Sequence, residues 1–262
     1  MLATDELFIA VFGNVRRQQV LDEDPTYCDP YRAFNTYASV LGWGGSESSD
    51  KAPCFPPLWE MEEAGGDWDT REGQPRSGSA LWVQVGLPNR TGRIIVPIVQ
   101  IVACAEKVLM RKGFDNLSDV QLMIPLGCGP IVRPSWIAPL FEFSRTRSAT
   151  TLRYEIDGGE DNSCLHYAQQ IIEEANRGLA RDGIRFQPPD VVGDSSYLLQ
   201  EPGEMSRDAW MGRSTGRIKS EVSIPEAFSF DIAAHLAAHV ARSCQKLGVR
   251  SHILTTASLR NS

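Results

Sequence analysis

Residues 152–187 read LRYEIDGGEDNSCLHYAQQIIEEANRGLARDGIRFQ. The stretch opens with strict alternation: Leu152, Tyr154 and Ile156 against Arg153, Glu155 and Asp157. That is the period of a strand with one face covered and one charged. Over residues 163–181 the apolar side chains fall at Leu165, Ala168, Ile172, Ala175 and Leu179. Those steps of three and four make one face of a helix. Asp182-Gly183-Ile184 then stops it, because glycine takes the left-handed conformation past the last turn and the next apolar residue packs back. Residues 184–187 begin a second strand. The whole stretch is one strand–helix–strand unit.

The same ending recurs at Lys112-Gly113-Phe114 and Leu247-Gly248-Val249. Gly113 and Gly183 lie 70 residues apart, and Gly183 and Gly248 lie 65 apart. A step of 71 back from Gly113 reaches Gly42, after a plausible helix at 31–41. Further helices are expected at 98–112, with Pro97 in the first turn, and at 231–247, with Ser229 as N-cap. Strands are expected before each helix, at 7–12, 81–87, 152–156 and 218–224. Strands are expected after three of them, at 120–124, 184–187 and 252–256. After Gly42 no strand is legible, because Pro53, Pro56 and Pro57 demote that stretch.

Four such units predict an α+β fold. Two units in series make a split βαβ, or ferredoxin-like, domain, and four make two in tandem. The expected halves are residues 1–146 and 147–262, with the boundary near 144–150. One continuous sheet of eight strands is the alternative. Two insertions interrupt the pattern, at 44–79 and 193–216. The first holds eight Asp or Glu against three Lys or Arg, so most of the net charge of −7 sits there. It carries Trp59 and Trp68; the second carries Tyr197 and Trp210.

A chain of net charge −7 with 26 Lys and Arg is not expected to bind nucleic acid, which needs a basic face. Docking to anionic lipid is disfavoured for the same reason. The longest apolar run, 94–105, is too short to cross a bilayer and contains Gln100. The six cysteines are dispersed without a C-x-x-C pair, the usage of a reduced, cytoplasmic protein.

Several motifs carry possible chemistry. Gly212-Arg213-Ser214-Thr215-Gly216 matches G-x-S-x-G, but a loop precedes it and a strand follows, the reverse of a nucleophile elbow. Gly127-Cys128-Gly129-Pro130 reads as a tight turn. Asp157, Glu160 and Asp161 could hold a hard cation or simply start a helix. His235 and His239 stand four apart, but they share a helical arc with Asp231, Arg242 and Lys246, and no third ligand is evident. They are expected to face solvent or an interface, and no metal is expected. No phosphate loop or dinucleotide fingerprint is present, and no cofactor is implied.

The two halves differ on the strand face away from the helices. In the N-terminal half Phe8, Ala10, Phe12 and Trp82 occupy it, so that something must cover it: a loop, the other half or a second subunit. In the C-terminal half it carries Arg153, Glu155 and Asp157 beside Lys219 and Glu221. If that face is enclosed, the carboxylates are desolvated, which suits acid–base work. The expected function is binding or processing of a small polar molecule on this face or between the halves. Glu155 and Glu221 are the catalytic candidates, and Arg153, Lys219 and Asp157 the ligand-binding ones. The alternative is a homo-oligomeric scaffold whose apolar face is an interface.

Overall fold

The computed structural model describes residues 6–15, 29–44, 57–66, 79–88, 95–131, 150–193 and 214–259. The expected boundary at 144–149, and with it Trp68, Tyr197, Trp210, Gly212 and Arg213, lies outside the described residues.

Alternation of apolar side chains yields the strands β1 (Glu6–Val15), β3 (Ser79–Gly86), β5 (Thr150–Asp157) and β8 (Arg217–Ile224). The strands expected after the helices are β4 (Phe114–Pro125), β6 (Arg185–Phe186) and β9 (His252–Leu259). Two more were not legible, β2 (Glu60–Gly65) and β7 (Asp190–Val192). β2 lies inside the acidic insertion, beyond the prolines that hide it, and among the described residues pairs with β3 alone. An edge strand needs only one partner and tolerates acidic side chains on its exposed positions.

All nine strands form one antiparallel open sheet in the order β2-β3-β1-β4-β9-β5-β8-β6, with β7 also paired to β8. From β4 outward the strands run β1, β3, β2; from β9 outward they run β5, β8, β6. The two series meet where β4 pairs with β9, from Asp119 opposite Ser258 to Pro125 opposite His252. The sheet is therefore continuous across the middle of the chain.

Five helices appear among the described residues: α1 (Pro30–Val40), α2 (Ile98–Arg111), α3 (Ser163–His166), α4 (Ala168–Leu179) and α5 (Phe230–Lys246). The single helix expected over 163–181 is divided at Tyr167, and its last turn, Ala180–Asp182, is a 3-10 turn. Asp29 caps α1 by accepting from the Arg32 N–H at 2.7 Å. Ser229 caps α5 through Ile232. Gly42, Gly113, Gly183 and Gly248 each follow a helical segment with φ of 70°, 77°, 72° and 87°. Only glycine holds that conformation without strain.

The four longer helices lie side by side in the order α1, α2, α5, α4, on one face of the sheet. Between layers sits one continuous core, from Leu7, Ile9 and Phe34 through Ile101 and Leu122 to Tyr154, Leu179 and Leu236. Phe114 of β4 meets Phe230 of α5 with ring centres 5.7 Å apart, so the two series share packing as well as hydrogen bonds. Each such side chain contributes about 1.5–3 kcal/mol on leaving water. No helix among the described residues is long and apolar enough to cross a membrane.

Candidate functional site

The second face of the sheet, away from the helices, carries the candidate site. Register decides what meets there, because directly paired residues of antiparallel strands point to the same side. β5 and β8 set Arg153 opposite Glu221, Glu155 opposite Lys219 and Asp157 opposite Arg217. Exposure falls along this ladder. Arg153 and Glu221 are exposed, while the Glu155 side chain keeps 13% of its accessible surface, Lys219 36% and Arg217 7%. Glu155 and Glu221, named together from the sequence, are diagonal neighbours in different environments.

Arg217 is the centre of this cluster. Its Nε donates to Asp157 Oδ2 at 3.3 Å, and its Nη1 lies 3.8 Å from Glu155 Oε2. Lys219 Nζ lies 3.9 Å from the other oxygen of Glu155. Two carboxylates thus face two cations, and the pairing offsets part of the cost of burying them. Asp157 has a second task, accepting the Gly159 N–H at 2.7 Å to hold the turn after β5. Arg217 was not singled out from the sequence; its place in the same alternation as Lys219 and Glu221 was the available signal.

The row through Glu155 continues across the sheet. Lys219 pairs with Glu155, Glu155 with Thr256 of β9, and Thr256 with Gln121 of β4. Four strands at about 4.8 Å spacing carry this row over roughly 14 Å. Gln121 and Thr256 are each only 7% exposed. Among the described residues the Gln121 side-chain oxygen and the Thr256 hydroxyl have no hydrogen-bond partner. Buried polar atoms in native proteins are nearly always satisfied. Two unsatisfied ones beside the half-buried Glu155–Lys219 pair mark a place where a polar molecule would gain hydrogen bonds.

At the far end of the same face the side chains change character. Phe8, Ala10, Met123 and Leu254 form a small buried cluster with Phe12 and Trp82 against it. Beyond them, Gln84 Nε2 donates to Glu6 Oε2 at 3.0 Å and to Glu62 Oε2 at 2.9 Å. Glu62 is the extra residue of a bulge in β2, and it fits because Gly86 has no side chain; a Cβ there would lie 2.5 Å from Glu62 Oε1. Desolvation, and then the neighbouring Glu62 charge, raise the Glu6 carboxyl above the ordinary range. Desolvation raises Glu62 too, against the Gln84 hydrogen bond. This pair was missed in the sequence, since Glu6 and Glu62 lie 78 and 22 residues from the glutamine that joins them.

The histidine expectation is corrected. His235 and His239 are buried, at 1% and 7%, not solvent-facing. α5 lies between α2 and α4, and its alanines Ala233, Ala234, Ala237 and Ala238 let both neighbours close on it. His235 Nε2 lies 2.8 Å from Asp182 Oδ2, and the two imidazoles meet edge to face at 4.7 Å.

Other motifs resolve into structure. Residues 126–129 form a turn around Cys128, whose Leu126 and Gly129 carbonyls accept from Gln245 Nε2. Burial pushes the Cys104 and Cys164 thiols up to about 12, so neither supplies a thiolate at neutral pH. Asp161 accepts the Ser163 N–H at 2.8 Å, which holds its carboxyl below the ordinary range and starts α3. In the G-x-S-x-G segment, Thr215 donates through both N–H and hydroxyl to the Gly159 carbonyl, and β8 begins at once. Ser214 is thus followed by a strand, where an elbow has a helix.

No protein-family model matches this chain, and neither a curated protein nor a solved structure does.

Proposed function

We propose that the protein binds a small polar molecule on the second face of the sheet, over the row Gln121, Thr256, Glu155 and Lys219. The observation that carries this reading is the pair of nine-tenths-buried polar groups, Gln121 and Thr256, without a partner among the described residues and in register with the half-buried Glu155–Lys219 ion pair. Lys219, the most accessible of the four charged groups in the Glu155–Arg217 cluster, meets an anionic or carbonyl group of the ligand. Glu155 accepts from the ligand's donors and is the residue assigned to any acid–base step, with Glu221 and Arg153 at the solvent mouth. Asp157 and Arg217 position Glu155 from below.

The fold reading behind it is two ferredoxin-like halves joined edge to edge. The strand orders β4-β1-β3-β2 and β9-β5-β8-β6 support it, each following the split βαβ order 4-1-3-2, with the last strand of each half at the junction. The row then straddles that junction, where two halves of different chemistry meet. The rival scaffold reading drew on an apolar face in need of a second subunit. Phe8 is fully buried within the single chain, which weakens that reading, while Phe12 and Trp82 of the same face stay partly exposed.

A thermal-shift screen against polar metabolites tests the proposal, since a ligand of the folded state raises the melting temperature. A true ligand loses about tenfold or more in affinity with Thr256→Val and with Glu155→Gln, each a near-isosteric change, while both variants stay folded. A ligand whose shift survives both substitutions binds elsewhere and overturns the assignment.

A further inference from the structure

The helix layer, on the opposite side of the sheet, holds a second polar centre that the proposed function does not use. We propose that Asp182, His235 and His239 form a site for one divalent transition-metal ion, with Zn2+ the best fit.

Three donor-bearing side chains converge there from two elements. His235 and His239 stand one turn apart on α5 and face the same side. Asp182 comes from the 3-10 turn that ends α4. All three are buried, and one donor atom from each lies within 4.8 Å of the others. Two imidazoles and one carboxylate are a donor set suited to zinc and its d-block neighbours, with a fourth position left for water. A single carboxylate among nitrogens is a poor site for calcium or magnesium, which take oxygen shells. Metal–nitrogen and metal–oxygen bonds of about 2.0–2.1 Å put tetrahedral donors roughly 3.3 Å apart, so donors now within 4.8 Å of one another must close by up to about 1.5 Å. His235 and Asp182 are already at 2.8 Å, so most of that movement falls on the His239 ring.

The backbone of α4 supplies an independent observation. Gly178 lies against the His239 ring: a Cβ on it would stand 2.4 Å from Nδ1 and 2.7 Å from Cε1. A glycine inside a helix costs about 1 kcal/mol relative to alanine. Here it makes the room that brings the second imidazole to the carboxylate. A plain hydrogen bond between His235 and Asp182 accounts for two of the three residues. The metal reading also takes in the second buried imidazole and the glycine beside it. Bound metal would tie the turn after α4 to the middle of α5.

The test uses the full chain, freed of metal with a chelator and titrated with Co2+ and Zn2+ by calorimetry and absorption. One equivalent should bind, Co2+ should develop the d–d bands of a nitrogen-ligated site, and the melting temperature should rise. In histidine-selective NMR of the native protein, Zn2+ should shift the rings of His235 and His239 and leave His166 and His252 in place. Asp182→Asn and His239→Gln should each weaken binding at least about tenfold. His166→Ala, a change at an exposed position, should leave it intact. Substoichiometric binding by the native protein, or ring shifts at His166 or His252 instead, overturns the proposal. Unchanged affinity in the folded Asp182 and His239 variants also overturns it. The native titration and ring shifts decide the matter even where a variant fails to fold.

Discussion

The two ends of one sheet face follow the same strand plan and carry opposite chemistry. Phe8, Met123 and Leu254 fill the row that, on the next two strands, holds Asp157 and Arg217. On the helix side no such change occurs, and a single apolar core runs the full width. The backbone therefore sets the layers, and the side chains of one face set what each end can do. The apolar end is stabilised by burial alone. The charged end trades desolvation against pairing, and between the two lie Gln121 and Thr256, buried like the former and polar like the latter.

The sharpest way to break this contrast is at Phe8. Its side chain is fully buried, so Phe8→Ala should cost about 3–5 kcal/mol in chemical denaturation. Arg153→Ala, exposed at the other end, should stay within about 0.5 kcal/mol. Equal effects would mean that the two ends are not differently packed. Next in size is Arg217→Ala, which leaves the Asp157 and Glu155 carboxylates without their buried cation. About 3 kcal/mol should be lost, because removing one member of a buried ion cluster leaves the others' desolvation uncompensated. Adding Asp157→Asn should recover part of that loss. Two fully additive losses would show that the pair does not interact.

Which parts were legible in the sequence follows from which forces are local. Alternation in β1, β3, β5 and β8 and the glycines at 42, 113, 183 and 248 report backbone geometry residue by residue, and they place the strands and helix ends. β2 escaped because its side chains do not alternate: Glu60, Glu62 and Glu63 sit on an edge, and a bulge at Glu62 breaks the period. The paired row Arg153–Glu221 and Glu155–Lys219 follows from alternation plus a neighbour assumption; which of these would be enclosed does not. The histidines were misread because a helical wheel scores alanine as neutral. In α5 those alanines are the contacts that bury both faces. Asp182 lies 53 residues from His235, and only the packing of α4 on α5 brings them together.

Thr256→Val sharpens the middle of the comparison. The substitution keeps the shape and removes a hydroxyl without a partner among the described residues. Replacing a buried polar group that makes no hydrogen bond by an apolar one is neutral or stabilising, here by up to about 1 kcal/mol. Urea denaturation at constant m-value measures it. A loss above about 1 kcal/mol would mean that the hydroxyl is satisfied within the folded chain, and the row would lose its claim as a binding surface.

The smallest expected effect is in pH dependence, and its sign differs between the two ends. Glu6 and Glu62, on the apolar end, have folded-state carboxyls raised above the ordinary value, chiefly by desolvation. The folded chain therefore holds their protons more tightly than the unfolded chain. Their favourable contribution is complete below the ordinary glutamate range and is lost as pH rises through the raised values. Asp161, in the turn after β5 at the charged end, is lowered by the Ser163 backbone N–H, and Glu174, on α4 in the helix layer, by the Lys246 side chain. Their contribution is present above the ordinary range and is lost as pH falls through the lowered values. Glu106 and Asp231, in the helix layer, are raised by desolvation and add to the first trend. Glu62→Gln keeps an acceptor for Gln84 but removes the titration. It should flatten the decline in stability above the ordinary glutamate range and leave the acid limb unchanged. Lys246→Met, which removes the partner that lowers Glu174, should soften the acid limb and leave the decline above it alone. Denaturation midpoints across the weakly acidic range read both. If Glu62→Gln alters the acid limb instead, the assignment of opposite signs to the two ends is wrong.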